Sequence, residues 1–300
     1  MVKLRKSLKK ILMVAVVIFG FLCIEAVFYN RQPVLIVSDH MFNLIYGKQR
    51  LFIKRLETQA QLFRPVKQVI IGENTGADLV SLAVQAVTKA PYCVIFPYRY
   101  NEGAIYYAKE MPGIPVAVLG RADQKAPDGV IFITTDVETD LYRAGKCAAI
   151  LARSAADTTN VIEEKDLITV LQRRTLTSEQ QQWFLQGTRD EGFTGTFNYF
   201  TINNPYRPHE KNAAVVMLGN ENGFLEQNET VPVILFSWMD PGSTSSWVKV
   251  IFDDSPWSLA IPAIELARKG EGGTLPSQLC LPDGRIALRD LRRQIKEAVE

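Results

Sequence analysis

The sequence predicts an α/β protein of two similar lobes, each a parallel sheet flanked by helices. A transmembrane or signal helix precedes them. Three observations predict this class. From Val34 onward, short apolar runs alternate with segments whose apolar residues fall at helical spacing. Strict alternation with short links implies parallel strands joined by right-handed crossovers. The runs also stop at polar residues, as at Ser38-Asp39-His40, Gly120-Arg121 and Thr135-Asp136, and open α/β sheets line a ligand crevice with such strand ends. Finally, 300 residues suffice for two domains of ordinary size.

The chain opens with Lys3, Arg5, Lys6, Lys9 and Lys10, followed by an apolar run from Ile11 to Tyr29. A basic head and an apolar stretch suit a secretory signal, and nineteen residues can span a bilayer core of ~30 Å as a helix. Gly20-Phe21-Leu22 before Cys23 is a poor match to a lipoprotein signal, and Ile24-Glu25-Ala26 offers no small-x-small cleavage site. We read residues 1–30 as a retained signal anchor, with lipidation at Cys23 as the competing fate. Without them the body carries 29 basic and 31 acidic residues. That balance argues against a nucleic-acid partner, which calls for a clustered basic face.

Next, VLIVSD (34–39) reads as a buried strand and residues 41–62 as a helix stopped by Arg64-Pro65. Strands follow at KQVIIGE (67–73), YCVIFPY (92–98), PVAVLG (115–120) and GVIFITTD (129–136), with helices at Ala77–Ala90 and Glu102–Met111 between them. Asp140 is read as the cap of a helix running to Arg153. The second half repeats the plan: strands at 166–172, 197–203, 213–220, 231–238 and 248–254, and a helix from Ser178 to Glu191 capped by Ser178. A helix from Trp257 to Lys269 starts at Ser255-Pro256 by the cap-then-proline rule. A strand near 275–282 and a charged helix, Ala287–Val299, close the chain.

Four stretches carry a family resemblance. VIFPYRYNEGAIYYAKEMPGIPVAVLGR, DLYRAGKCAA, MLGNE, and VIFDDSPWSLAIPAIELARKG followed by LPSQL occur in the order and spacing found in the type I periplasmic binding proteins. These are the ribose- and galactose-binding fold shared with the lactose-repressor core. The resemblance implies two α/β lobes joined by three crossovers, with the ligand in an interlobe cleft. It divides this chain into residues 33–139 plus about 255–274, and 140–254 plus about 275–300. It also implies strand-end ligand contacts, which fall on Asp39, Phe42, Arg121, Asn220, Asp240 and Asp254; Trp238, an aromatic side chain at a strand tip, is read as a further contact.

The chain departs from the family in two ways. Gly120-Arg121 stands where many sugar binders have Asp-Arg, and Trp183-Phe184 where an arginine is often found. Arg121 is read as a bidentate clamp for an anionic or strongly hydrogen-bonding ligand, against the plainer reading of a loop arginine. The links at 204–212 and 221–230 are shorter than the dozen or more residues a parallel crossover usually needs. Their helices should be clipped or lost, leaving a second lobe whose uncovered face would serve a homodimer or partner through Phe200, Ile202 or Val216.

Cys93 and Cys147 read as buried small hydrophobes, and the cysteines and His40 and His209 lack metal-ligand spacing. No nucleophile elbow, phosphate loop or dinucleotide fingerprint follows a strand, and Gly270–Gly273 sits where a helix C-cap belongs. The expectation is therefore neither an enzyme nor a cofactor protein. It is an extracytoplasmic solute-binding protein for a small polar, sugar-like or anionic ligand, serving a membrane permease or sensor. The alternative is an anchored interaction protein with a degenerate cleft.

Overall fold

The computed structural model describes residues 27–42, 48–72, 74–120, 127–158, 167–172, 175–201, 212–218, 231–236, 247–282 and 289–300. Residues 1–26 of the leader, residues 204–211 and 221–230 of the two short links, and Arg121, Asn220, Trp238, Asp240 and Ile202 lie outside the described residues. No helix among the described residues is long and apolar enough to cross a membrane.

The described chain divides into two compact units. One holds residues up to His40, Phe52–Phe132 and Ala263–Gly272; the other holds Met41–Leu51, Ile133–Pro262 and Gly273–Glu300. Each carries most of one six-stranded sheet, as the alternation predicts.

The first sheet contains β1 (Val34–Ser38), β2 (Val66–Ile70), β3 (Cys93–Pro97), β4 (Val116–Leu119), β5 (Val130–Thr135) and, much later, β11 (Gly273–Leu275), in the order β11-β5-β4-β3-β1-β2. The pairs β1–β2, β1–β3, β3–β4 and β5–β11 are parallel. Helix α1 (Lys48–Leu62) links β1 to β2, α2 (Ala77–Val87) links β2 to β3, and α3 (Asn101–Glu110) precedes β4. Alternate strand residues face opposite sides. Leu35, Val37, Val69, Ile71, Val94 and Phe96 therefore pack with Val80, Val84, Ala104 and Tyr107 of α2 and α3.

The second sheet runs β12-β10-β9-β8-β6-β7, from β6 (Leu167–Gln172), β7 (Thr196–Thr201), β8 (Asn212–Met217), β9 (Val233–Phe236), β10 (Val248–Asp253) and β12 (Gln278–Cys280). All its pairs are parallel except β10–β12. The helices are α4 (Val137–Thr158), α5 (Ser178–Asp190), α6 (Ala260–Lys269) and α7 (Arg289–Val299). The parallel β6–β8 and β8–β9 pairs form despite the short links. The sequence joined residues 275–282 into one strand. The structure breaks them at Pro276-Ser277, and the two halves enter different sheets.

Three helix starts differ from expectation. Asp136, not Asp140, caps α4, accepting the Thr139 N–H at 3.0 Å and its hydroxyl at 2.8 Å. Asp140 sits within the helix, buried at the far end of a tertiary contact described below. Thr177, one residue before Ser178, caps α5 in a reciprocal pair with Gln180. α6 begins at Ala260, because Asp253 holds residues 255–258 in a turn. It ends as read, with Gly270 at φ +73° and two back-bonds, Gly270 N–H to Ala267 O and Glu271 N–H to Leu266 O.

Helices α4 and α5 meet at two glycines. A Cβ on Gly145 would stand 2.1 Å from the Phe184 carbonyl oxygen, and one on Gly187 2.0 Å from that of Tyr142. Around this crossing Leu141, Ala148, Ile168, Phe184, Val216 and Val250 form the core, with Trp183 partly buried against it. On the other face Leu171, Val215, Met217, Val233, Leu235 and Val248 are buried. Val216 is therefore core and cannot serve an interface, while Phe200 is only partly buried. The Val216 part of the expectation is overturned because link length alone does not say which strand residues face the core. Cys93 and Cys147 are unpaired, with burial pushing both thiols up to about 12. Cys280 is also free.

Candidate ligand-binding edges

In the first unit the strand tips of β1 and β3 meet. Asp39, directly after β1, is 6% exposed. One oxygen, Oδ2, accepts the Arg99 guanidinium at 3.1 Å and the Tyr100 hydroxyl at 3.1 Å. Both partners lie on a single tight helical turn, Tyr98–Tyr100, which continues β3 into α3. The Arg99 side chain is 52% exposed, so its charge is held by a buried carboxylate while its outer edge meets solvent. This pre-orients a planar donor. The sequence reading gave Asp39 to a ligand and missed Arg99 and Tyr100. The signal was the cluster PYRY at a strand end, read only as part of a longer resemblance.

Gly120 ends β4 at φ +136°, and a Cβ there would lie 2.6 Å from the Tyr98 Cβ. An L side chain rarely adopts that backbone. The absent Asp of the sugar-binder pattern thus has a local cause: Tyr98 occupies its space. Phe42, in the helical residues that follow Asp39, is 8% exposed.

In the second unit the polar groups gather at the end of β10 and beside it. Asp253 is 1% exposed and accepts the Ser255 N–H at 3.0 Å and the Ser258 hydroxyl at 2.5 Å. It is thereby committed to the turn. Asp254, the next residue, lies just past the strand and is half-buried. Burial first, then the neighbouring Asp253, raise its carboxyl to about 7, with a further contribution from Asp140. Near neutral pH Asp254 can therefore both donate and accept a hydrogen bond.

Asp140, 1% exposed, accepts the Ser277 N–H at 2.9 Å and the Ser277 hydroxyl at 2.5 Å. Arg143 stands 3.5 Å away and also donates to the Ser277 carbonyl at 2.8 Å. Burial still raises the Asp140 carboxyl above its ordinary range, against those bonds and that charge. The Trp257 indole N–H is buried without an acceptor among the described residues. Elsewhere on this edge, Gln172 at the tip of β6 donates to Thr201 at 3.4 Å and accepts the Leu176 N–H at 3.0 Å.

Of the seven residues read as ligand contacts, Asp39, Phe42 and Asp254 are described, and each lies at or just past a strand end. The edges are acid-rich and hold no cluster of His, Cys, Asp and Glu able to bind a metal ion among the described residues.

No family model matches the chain, and no curated protein matches its sequence. Solved structures do. An ABC transporter system solute-binding protein from Conexibacter woesei DSM 14684 is 13% identical, with a TM-score of 0.60 over 89% of this chain and 94% of that one. A transcriptional activator of the comK gene from Bacillus halodurans is 12% identical, with a TM-score of 0.57 over 90% and 96%. An ABC transporter solute-binding protein from Aeropyrum pernix K1 is 11% identical, with a TM-score of 0.50 over 90% and 85%. At these identities the likeness concerns the fold, and the chain has the type I periplasmic binding protein fold.

Proposed function

We propose that this chain reversibly binds a small polar solute, with each unit supplying strand-end hydrogen-bonding groups, on the outer side of a membrane to which residues 1–30 anchor it. It delivers that solute to a permease or sensor. The observation that carries the reading is the Asp39–Arg99–Tyr100 assembly, a half-exposed guanidinium fixed by a buried carboxylate at a strand tip. A purely structural ion pair gains little from so exposed a partner. A ligand site gains a donor that is already in place. Arg121, Asn220, Trp238, Asp240 and Asp254 complete the proposed contacts, and the likeness to solute-binding proteins supports the role.

The test is a thermal-shift screen against sugars, nucleosides and amino acids, followed by calorimetry on any hit. Charge-assisted hydrogen bonds contribute roughly 1.5–3 kcal/mol each, so Arg99→Ala and Arg121→Ala should each weaken binding about tenfold to hundredfold. Arg99→Lys and Arg121→Lys should recover it only partly. Arg289→Ala, on α7, should change nothing. Equal affinity in wild type and both alanine variants would remove the first-unit edge from the site.

A further inference from the structure

Helix α1 turns its apolar face outward. Among its described side chains Thr58 is the buried one, at 2% exposure, with its hydroxyl donated to the Lys54 carbonyl. On the opposite side Phe52, Ile53 and Leu56 are 61%, 47% and 48% exposed, and Phe63, just past the helix end, is 37% exposed. An outward stripe of large apolar side chains marks an interaction surface.

Two observations identify what covers it. The first is charge. Residues 31–67 hold seven basic and two acidic residues, whereas residues 68–300 hold 22 basic and 29 acidic. Arg55 and Lys54, the latter paired with Glu57 at 3.2 Å, flank the stripe, and the Arg31 guanidinium lies 4.8 Å from the Phe63 ring centre. The second is continuity with the leader. The Phe28 ring packs on Phe63 at 5.7 Å, so the last described residues before the fold lie at one end of the stripe. An apolar helix face with basic flanks lies in the plane of a lipid–water interface, attracted by anionic headgroups.

We propose that the outer face of α1 rests on an anionic lipid surface beside the point where the leader enters it. The proposal rests on the anchoring part of the reading above, not on the solute site. Phe52, Ile53, Leu56 and Phe63 enter the headgroup region, and the flanking cations meet lipid phosphate.

The full chain is reconstituted into vesicles of equal parts phosphatidylcholine and phosphatidylglycerol, with brominated phosphatidylcholine as quencher. Phe52→Trp reports the stripe. Tyr106→Trp, an exposed position on α3, is the control, and wild-type emission is subtracted. The Phe52→Trp emission should be clearly quenched and little of the control's. The double change Lys54→Glu with Arg55→Glu, or vesicles of phosphatidylcholine alone, should reduce that quenching. Quenching equal at the two positions, or absent at Phe52→Trp, would overturn the proposal. So would a blue shift without lipid quenching in a cross-linkable dimer, since a second copy would then cover the stripe. An alkaline wash separates the two readings. Retention without quenching leaves the anchor and removes the surface contact, and quenching before a wash that strips the chain does the reverse.

Discussion

Gly145→Ala is expected to destabilise the second unit by roughly 3 kcal/mol or more, which a shifted urea midpoint of the full chain would report. The added methyl meets the Phe184 carbonyl oxygen at 2.1 Å and the Thr188 nitrogen at 3.0 Å. Both are backbone atoms of a regular helix, so neither can rotate away as a side chain would. Relief requires α4 and α5 to separate, which opens the core around Leu141, Ala148 and Phe184. Gly187→Ala should act alike, through the Tyr142 carbonyl at 2.0 Å. The two changes should also combine less than additively, because one separation relieves both clashes. Gly273→Ala is the control. Its Cβ would meet nothing within 4 Å, so its effect should stay within about 0.5 kcal/mol. An unchanged midpoint for Gly145→Ala would mean that the helices do not cross so closely.

The second large effect is electrostatic. Asp254 is expected to make the folded chain less stable as pH rises from about 4 to about 7. Its carboxyl titrates near 7 in the fold against 3.8 ordinarily, because it is buried beside Asp253. The unfolded chain thus releases this proton first. Between the two values the folded state binds more protons, so stability falls with pH and levels off above 7. Asp140 is shifted in the same direction and steepens the fall. Asp254→Asn removes the charge while keeping a similar shape. It should leave stability near pH 4 almost unchanged and raise it near pH 8 by roughly 3 kcal/mol. Urea unfolding across that range decides the matter, and parallel wild-type and variant curves would sink the assignment.

Much of this architecture was legible in the residues. Alternation of apolar runs with helical spacing located the strands, because a parallel strand buried on both faces is a continuous apolar run and little else. Tertiary contacts were harder to read. Asp136 and Asp140 are both acids near one helix start, and local pattern favoured the wrong one. What sets them apart is Ser277, which occupies Asp140 from 137 positions further along the chain. Likewise, nothing local shows that Tyr98 fills the space beside Gly120. Arg99 looked like one more charged loop residue, because its partner Asp39 lies 60 positions earlier. Gly145 stood unremarked in DLYRAGKCAA for the same reason: its neighbour belongs to another helix.

The split of residues 273–280 between two sheets bears on how the chain is made. β11 closes the first sheet against β5, and β12 closes the second against β10. Both closing strands are synthesised near the end, β11 long after β5 and β12 soon after β10. At ribosomal speeds β5 waits on the order of ten seconds for its neighbour, leaving an open edge that can pair with another nascent chain. A chain terminated before Gly273 would keep both edges open permanently and should be recovered in inclusion bodies. Neither unit, moreover, can be produced by cutting the gene once. The first needs Ala263–Gly272 returned to it, so a stand-alone version calls for a circular permutation.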